Sequence, residues 1–151
     1  MKKNIVKLFG FLFLFFYFQI AMAINIDSLI THTIFSEINQ YRLQQHLPKL
    51  TLNPLISKVA EEHSREMALH QIPFGHDGFQ IRMHDLLSQI PANAMAENVV
   101  YVYTNADEMV KLWLNSSEHR ENIVGNYNLT GIGIAHDRDG RIYATQIFLH
   151  V

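Results

Sequence analysis

The sequence predicts an α+β fold in which helices pack on an antiparallel sheet. Two observations carry this. Apolar residues recur at helical spacing in the first half of the chain, and the C-terminal end holds two β-rich runs, residues 131–136 and 142–150, separated by Asp137-Arg138-Asp139-Gly140. A third run, Asn98 to Tyr103, is β-branched and aromatic but lies between helical stretches, so strands and helices must share one layered core.

The first predicted helix spans about Asp27 to Gln45, with Ile30, Ile34, Ile38, Tyr41 and Leu43 near its inner side, and Leu47-Pro48 ends it because proline disfavours helix at the preceding residue. The second opens at Asn53-Pro54, asparagine as the cap and proline at the first helical position, where its missing N–H costs nothing. Ile56, Val59, Ala60, His63, Met67 and His70 share one face of it, which reads His63 as a satisfied core histidine. A loop from Gln71 to Gly78 presents His76, and Phe79 to Leu87 forms a short helix. Asn105-Ala-Asp-Glu108 has capping-box spacing and starts a helix with Val110, Trp113 and Leu114 inside. Asp137 to Gly140 then suits a hairpin turn, with Gly140 free to take positive φ.

The chain begins with a leader. Lys2, Lys3 and Lys7 precede an apolar run from Leu8 to Phe18, and Ala21-Met22-Ala23 supplies small residues three apart, the pattern of a secretory signal peptide cleaved after Ala23. The competing reading is an uncleaved membrane anchor, but the run falls short of the roughly 20 residues that a spanning helix needs. Residues 1–23 are thus the signal peptide and 24–151 a single domain of 128 residues, secreted or periplasmic, with no transmembrane span after cleavage.

The leader holds three of the 12 basic residues and none of the 14 acidic ones, so the mature part carries a net charge of −5. That balance argues against nucleic acid, which needs clustered Lys and Arg, and against docking on anionic lipid headgroups. There is no cysteine, so core packing replaces disulfides and no thiolate can act as nucleophile or ligand. Nine histidines carry most of the remaining chemistry.

An ordered series of short stretches runs through the mature chain. It comprises Asn39-Gln40-Tyr41-Arg42, Leu50-x-Leu52-Asn53-x-Leu55, His63-Ser64-x-x-Met67, Phe74-Gly75-His76 and Glu97-Asn98, then Trp113-x-x-Ser116-x-x-His119-Arg120-x-Asn122-Ile123, Gly131-Ile132-Gly133 and Tyr143-x-Thr145-Gln146-x-Phe148. In this series the chain resembles the bacterial branch of the CAP superfamily, the cysteine-rich secretory, antigen-5 and pathogenesis-related-1 proteins, from about Ile34 to Phe148. The resemblance implies a three-layer α-β-α sandwich and a surface cleft where two histidines and two acids converge. His76 matches the first histidine, Glu97 the acid of a Gly-Glu-Asn motif and His119 the second histidine. Two departures follow: the motif glycine is Ala96, and the position of the second acid, three residues after the tryptophan, is Ser116. Glu118, beside His119, is the other candidate for that place.

Two neutral imidazoles, His76 and His119, are a natural ligand pair for Zn²⁺ or another divalent cation. Glu97 could then orient one imidazole or take a proton from metal-bound water. A bland alternative has equal standing, since a buried His–Glu pair also satisfies itself without any ligand. No His-Glu-x-x-His, Gly-x-Ser-x-Gly or glycine-rich phosphate loop supports catalysis. Ser64 reads as a solvated or capping hydroxyl, Trp113 as a core anchor, Asn98 as a backbone binder near the cleft, and Arg120 as partner to Glu121 or a helix-terminal carbonyl. Gly131 and Gly133 mark a close helix–strand approach.

Three functions stay open at this point. One is a secreted protein that binds an extracellular or envelope ligand (small molecule, lipid or protein) in the His/Glu cleft. The second is a metal-dependent, peptidase-like hydrolase with Glu97 as its base, and the third is a stable scaffold for protein contacts.

Overall fold

The computed structural model describes residues 26–151, so the signal peptide read at residues 1–23 lies outside the described residues. Helix α1 occupies 26–44, followed by β1 (Thr51–Leu52), α2 (Pro54–Ala68), α3 (Phe79–Leu87), β2 (Ala94–Val102), α4 (Ala106–Asn115), α5 (Ser117–Val124), β3 (Leu129–His136) and β4 (Ile142–His150).

Local chemistry sets most boundaries. Asn53 Oδ1 accepts from the N–H groups of Leu55 and Ile56 at 2.9 and 3.3 Å, so α2 starts where the Asn-Pro pair predicts. Asn105 Oδ1 accepts from Glu108 N at 3.1 Å to cap α4, while the Glu108 carboxylate turns to Thr104 Oγ1 rather than closing the box on Asn105. Gly140 takes φ +84° in the β3–β4 turn.

The strands form a four-stranded sheet in the order β1-β3-β4-β2. β3–β4 and β4–β2 are antiparallel, whereas β1 pairs parallel to β3. This corrects the expectation of a purely antiparallel sheet. The parallel strand is only two residues long and follows no β-rich run, so no pattern announced it. β2 begins at Ala94, four residues ahead of the predicted Asn98, because its full length pairs with β4 from Ala94–His150 to Val102–Ile142.

Alternate residues of the sheet feed two apolar layers. On one face Ile132, Ile134, Ala144 and Phe148 meet Ile30, Ile34 and Ile38 of α1 and Met109, Val110 and Trp113 of α4. On the other face Ile147 and Leu149 meet Ile56 and Ala60 of α2 and Leu86 of α3. The result is the α-β-α sandwich. Trp113 is fully buried and its indole N–H donates to Val99 O at 3.1 Å, as a core anchor should.

The inner stripe of α1 ends differently from expectation. Leu43 is exposed, and the position one turn beyond Ile38 is Arg42, which is buried. Its guanidinium donates to the carbonyls of Pro48, Ile123, Gly125 and Tyr127 at 2.7–3.0 Å. Four backbone acceptors thus meet the cost of burying that charge.

α2 lies on β3 at backbone distance. A Cβ built on Gly133 would stand 1.9 Å from Glu61 N and 2.2 Å from the carbonyl carbon of Ala60, and one on Gly131 would stand 2.2 Å from Ser57 N. Ser64 seals the same contact. It is fully buried, its Oγ 2.9 Å from Gly133 O and 2.8 Å from Thr145 Oγ1, so it is neither the solvated nor the capping hydroxyl expected. Gly133→Ala must push backbone against backbone and is expected to cost about 3 kcal/mol or more, as overpacking at rigid contacts does; chemical denaturation of the variant measures it.

Candidate functional site

β2 is an edge strand of the sheet. Glu97, in the middle of β2, points to the α2–α3 side and is buried, with only 1% of its side chain exposed. Three groups converge on this carboxylate. Arg82 of α3 grips both oxygens, Nε to Oε2 at 2.8 Å and Nη2 to Oε1 at 2.7 Å. His76 Nδ1 donates to Oε1 at 2.9 Å, and His63 Nε2 of α2 stands 3.7 Å from the same oxygen.

The tautomers follow from the partners. His63 is fully buried and its Nε2–H donates to Gly75 O at 2.9 Å, which pins the 71–78 loop to α2. Its Nδ1 has no hydrogen-bond partner among the described residues. The His76 ring is half exposed; with Nδ1 spent on Glu97, its Nε2 is the nitrogen left to face a partner.

Burial alone would raise the Glu97 pKa. The hydrogen bonds from His76 and Arg82, with the charge of Arg82, reverse that and hold the carboxyl below the ordinary range. His63 moves the other way from a charged state: burial lowers its pKa, against the pull of Glu97. His119 is lowered too, first by burial and then by nearby His76, with Glu118 opposing. At neutral pH the Glu97 carboxylate is therefore ionised against the Arg82 guanidinium, and His63 and His119 are held toward their neutral forms.

The sequence-predicted residues fall into place unequally. His76 and Glu97 are in direct contact. His119 is half-buried on α5 and is tied to the strand through its backbone: Asn98 Nδ2 donates to His119 O at 3.0 Å, while Asn122 Nδ2 donates to Asn98 Oδ1 at 2.8 Å. Asn98 thus bonds backbone, at His119. Glu118 is exposed, close enough to His119 to act on its charge. Ser116 is the N-cap of α5, its Oγ accepting from His119 N at 3.5 Å, a capping role rather than a substitute acid. Arg120 donates to Leu114 O at 2.7 Å, the helix-terminal carbonyl option.

Two members of the cluster were not read from sequence as functional. His63 is the buried histidine expected, yet it also faces Glu97. Arg82 carried no signal, because its partner is 15 residues away and nearer acids, Asp77 and Asp85, would satisfy it on paper.

As a metal centre the cluster offers little beyond two imidazoles. Arg82 and His76 occupy both Glu97 oxygens, so the carboxylate is no ligand, and a base already accepting three hydrogen bonds is poorly placed to take a proton from water. The nitrogens not used on Glu97 are His76 Nε2 and those of the His119 ring.

The α-β-α sandwich is a domain of the CAP class. The profile of the cysteine-rich secretory protein family matches residues 35–148, and the chain belongs to that family although it contains no cysteine. It is 32% identical over 113 residues to the uncharacterized protein YkwD of Bacillus subtilis, a match covering 72% of this chain and 42% of that protein, so the chain spans less than half of the relative's length. Among solved structures it is similar to an extracellular SCP-domain protein of Bacillus anthracis (24% identity, TM-score 0.69, 83% of this chain and 42% of that one). An outer surface protein of Borrelia burgdorferi is similar as well (21% identity, TM-score 0.67, 80% and 92%). These two likenesses show the fold. Among the described residues no helix is long and apolar enough to cross a membrane.

Two outcomes test the electrostatics. Arg82→Met leaves the Glu97 carboxylate buried without its forked partner and is expected to lower stability by about 3 kcal/mol or more, measured by chemical denaturation. The second concerns pH. His63 and His119 have folded pKa values below the ordinary 6.5. As pH falls through that value the unfolded chain takes up protons that the folded protein refuses, so stability drops toward acid. The Glu97 contribution persists further, since its depressed pKa is crossed only below the ordinary 4.5. The thermal midpoint should therefore decline from about pH 7.5 to about pH 5.5, and His63→Gln should flatten that decline; a wild-type midpoint flat across the window would contradict it.

Proposed function

We propose that the protein is exported, to the periplasm or the cell exterior, and serves there as a binding protein whose cleft at the β2 edge receives an extracellular or envelope ligand. The observation carrying this reading is the Arg82–Glu97–His76 clamp. It fixes a buried anion, orients one imidazole, and leaves that ring's second nitrogen at the surface. Such a site is built to present a hydrogen-bonding or cation-holding edge, not to move protons through its carboxylate. The leader at residues 1–23, together with the extracellular and outer-surface descriptions of the B. anthracis and B. burgdorferi proteins, supports the location.

A divalent cation such as Zn²⁺ on His76 and His119 belongs to this reading as an optional bridge to the ligand. The peptidase-like alternative needs Glu97 as a free base, and the scaffold alternative needs the histidines only for packing. Calorimetry against lipid vesicles, cell-wall fragments and envelope protein extracts, each with and without Zn²⁺, separates the three. Binding should fall about tenfold or more in His76→Ala and His119→Ala while unfolding stays cooperative, since each removes a well-placed polar contact. Binding unchanged in both variants supports the scaffold. Turnover of a peptide that Glu97→Gln abolishes supports the hydrolase. Either result overturns the proposal.

A further inference from the structure

A second polar cluster lies away from the cleft, where the C-terminus of α2 meets the β3–β4 turn. α2 ends at Ala68, Leu69 caps it, and His70 then takes φ +55°, a left-handed position that glycine or asparagine usually fills after a helix. The exposed His70 ring stands opposite the hairpin turn. There Asp137 Oδ1 accepts from the N–H groups of Asp139 and Arg141 at 2.8 and 2.9 Å, so its carboxylate is fixed, with 1% of the side chain exposed. Asp139 completes the group. One donor atom each from His70, Asp137 and Asp139 lies within 4.8 Å of the others, beside an open groove of about 420 Å³ that His136 also lines.

We infer that His70, Asp137 and Asp139 form a site for a divalent transition-metal ion, of which Zn²⁺ is the best match. The donor chemistry selects the ion. One imidazole nitrogen and two carboxylates suit a borderline cation of low coordination number, whereas Ca²⁺ takes six to eight oxygens. Charge allows it. Arg141 Nη2 lies 3.1 Å from Asp139 Oδ2 and its Nε 3.2 Å from Asp137 Oδ2, so one guanidinium is shared between two carboxylates, and Arg138 on the same groove forms no ion pair with either. Asp137 Oδ2 faces the Arg141 Nε without a hydrogen bond of good geometry and accepts a long one, 3.4 Å, from the Tyr143 hydroxyl. Geometry asks for modest closure: ligands at 2.0–2.2 Å in a tetrahedron stand about 3.4 Å apart. His70 and Asp139 are exposed side chains able to close on the fixed Asp137, and the groove admits the water of a fourth position.

The site would tie the end of α2 to the β3–β4 turn, beyond the stretch where helix and strand pack on each other. His70 begins the segment that leads to Gly75 and His76, so an ion here would brace the base of the cleft loop from its far side. This differs from a cation on His76 and His119, and the two are separable.

Zinc competition with a chromophoric chelator, on the untagged purified protein, tests the inference. At least one zinc should bind, and His70→Ala and Asp139→Asn, both exposed positions, should each weaken one site about tenfold or more. The double variant His76→Ala/His119→Ala should keep this zinc. Absence of zinc binding in the wild type, binding indifferent to His70→Ala and Asp139→Asn, or loss of all zinc in the cleft double variant would each overturn it.

Discussion

The backbone contact between α2 and β3 is the constraint from which the rest of the molecule takes its positions. Two glycines, Gly131 and Gly133, remove the side chains that would hold the helix at ordinary distance. Ser64 then bonds directly to Gly133 O across the contact. With α2 seated so low, His63 sits at the level of Glu97 in β2 rather than above it, and its Nε2 can donate to Gly75 O. The loop that carries His76 is thereby hung from the helix. A helix held even an ångström or two higher would lose that bond, since hydrogen bonding fails beyond about 3.5 Å. Cleft geometry is thus a consequence of a packing choice made two strands away.

Glu97 poses the molecule's main electrostatic problem. A carboxylate with a nearly inaccessible side chain is costly unless its lone pairs are all used. Arg82 supplies the fork and His76 the third donor, and Arg82 itself is braced by the Asp77 carbonyl at 2.7 Å. The same bonds that make the burial tolerable fix the acid in its ionised form and consume its basicity. A site can have a strongly held carboxylate or a reactive one, and three hydrogen bonds put Glu97 on the strongly held side.

What the sequence discloses about all this depends on the range over which each signal acts. Helix starts at Asn53-Pro54 and Asn105, the α3 span, and the hairpin with Gly140 rest on neighbours within four residues, and the structure follows them. The Ile30-Ile34-Ile38 stripe is legible for the same reason. Its continuation is not: a polar residue falls at the next inner position, and Leu43 looks like the better core residue until the four carbonyls around Arg42 are assembled from the 48 and 123–127 segments. α5 escapes notice because Ser116 both ends α4 and caps α5, making one polar stretch out of two helices. His76 and Glu97 were placed through an ordered set of motifs, whereas the Arg82 that governs Glu97 belongs to none of them.

Arg42 also bears on how a small domain with no cysteine keeps its loops closed. A disulfide would constrain the unfolded chain; a buried arginine cannot, so its effect must come from the folded state alone. It gathers the carbonyls of the α1–β1 and α5–β3 connections onto one planar cation, and Asn39 adds a reciprocal pair with the backbone of Leu50, donating to its carbonyl at 3.2 Å and accepting from its N–H at 2.7 Å. Both act on loops lacking regular backbone pairing, where carbonyls buried without a partner would cost about 1–3 kcal/mol each. The α1–β1 loop delivers β1 to its parallel place beside β3, and the α5–β3 loop delivers β3 to α2. Arg42 and Asn39 thus hold the ends of the elements that the glycine contact joins, which makes these side-chain-to-backbone bonds the cysteine-free counterpart of a staple.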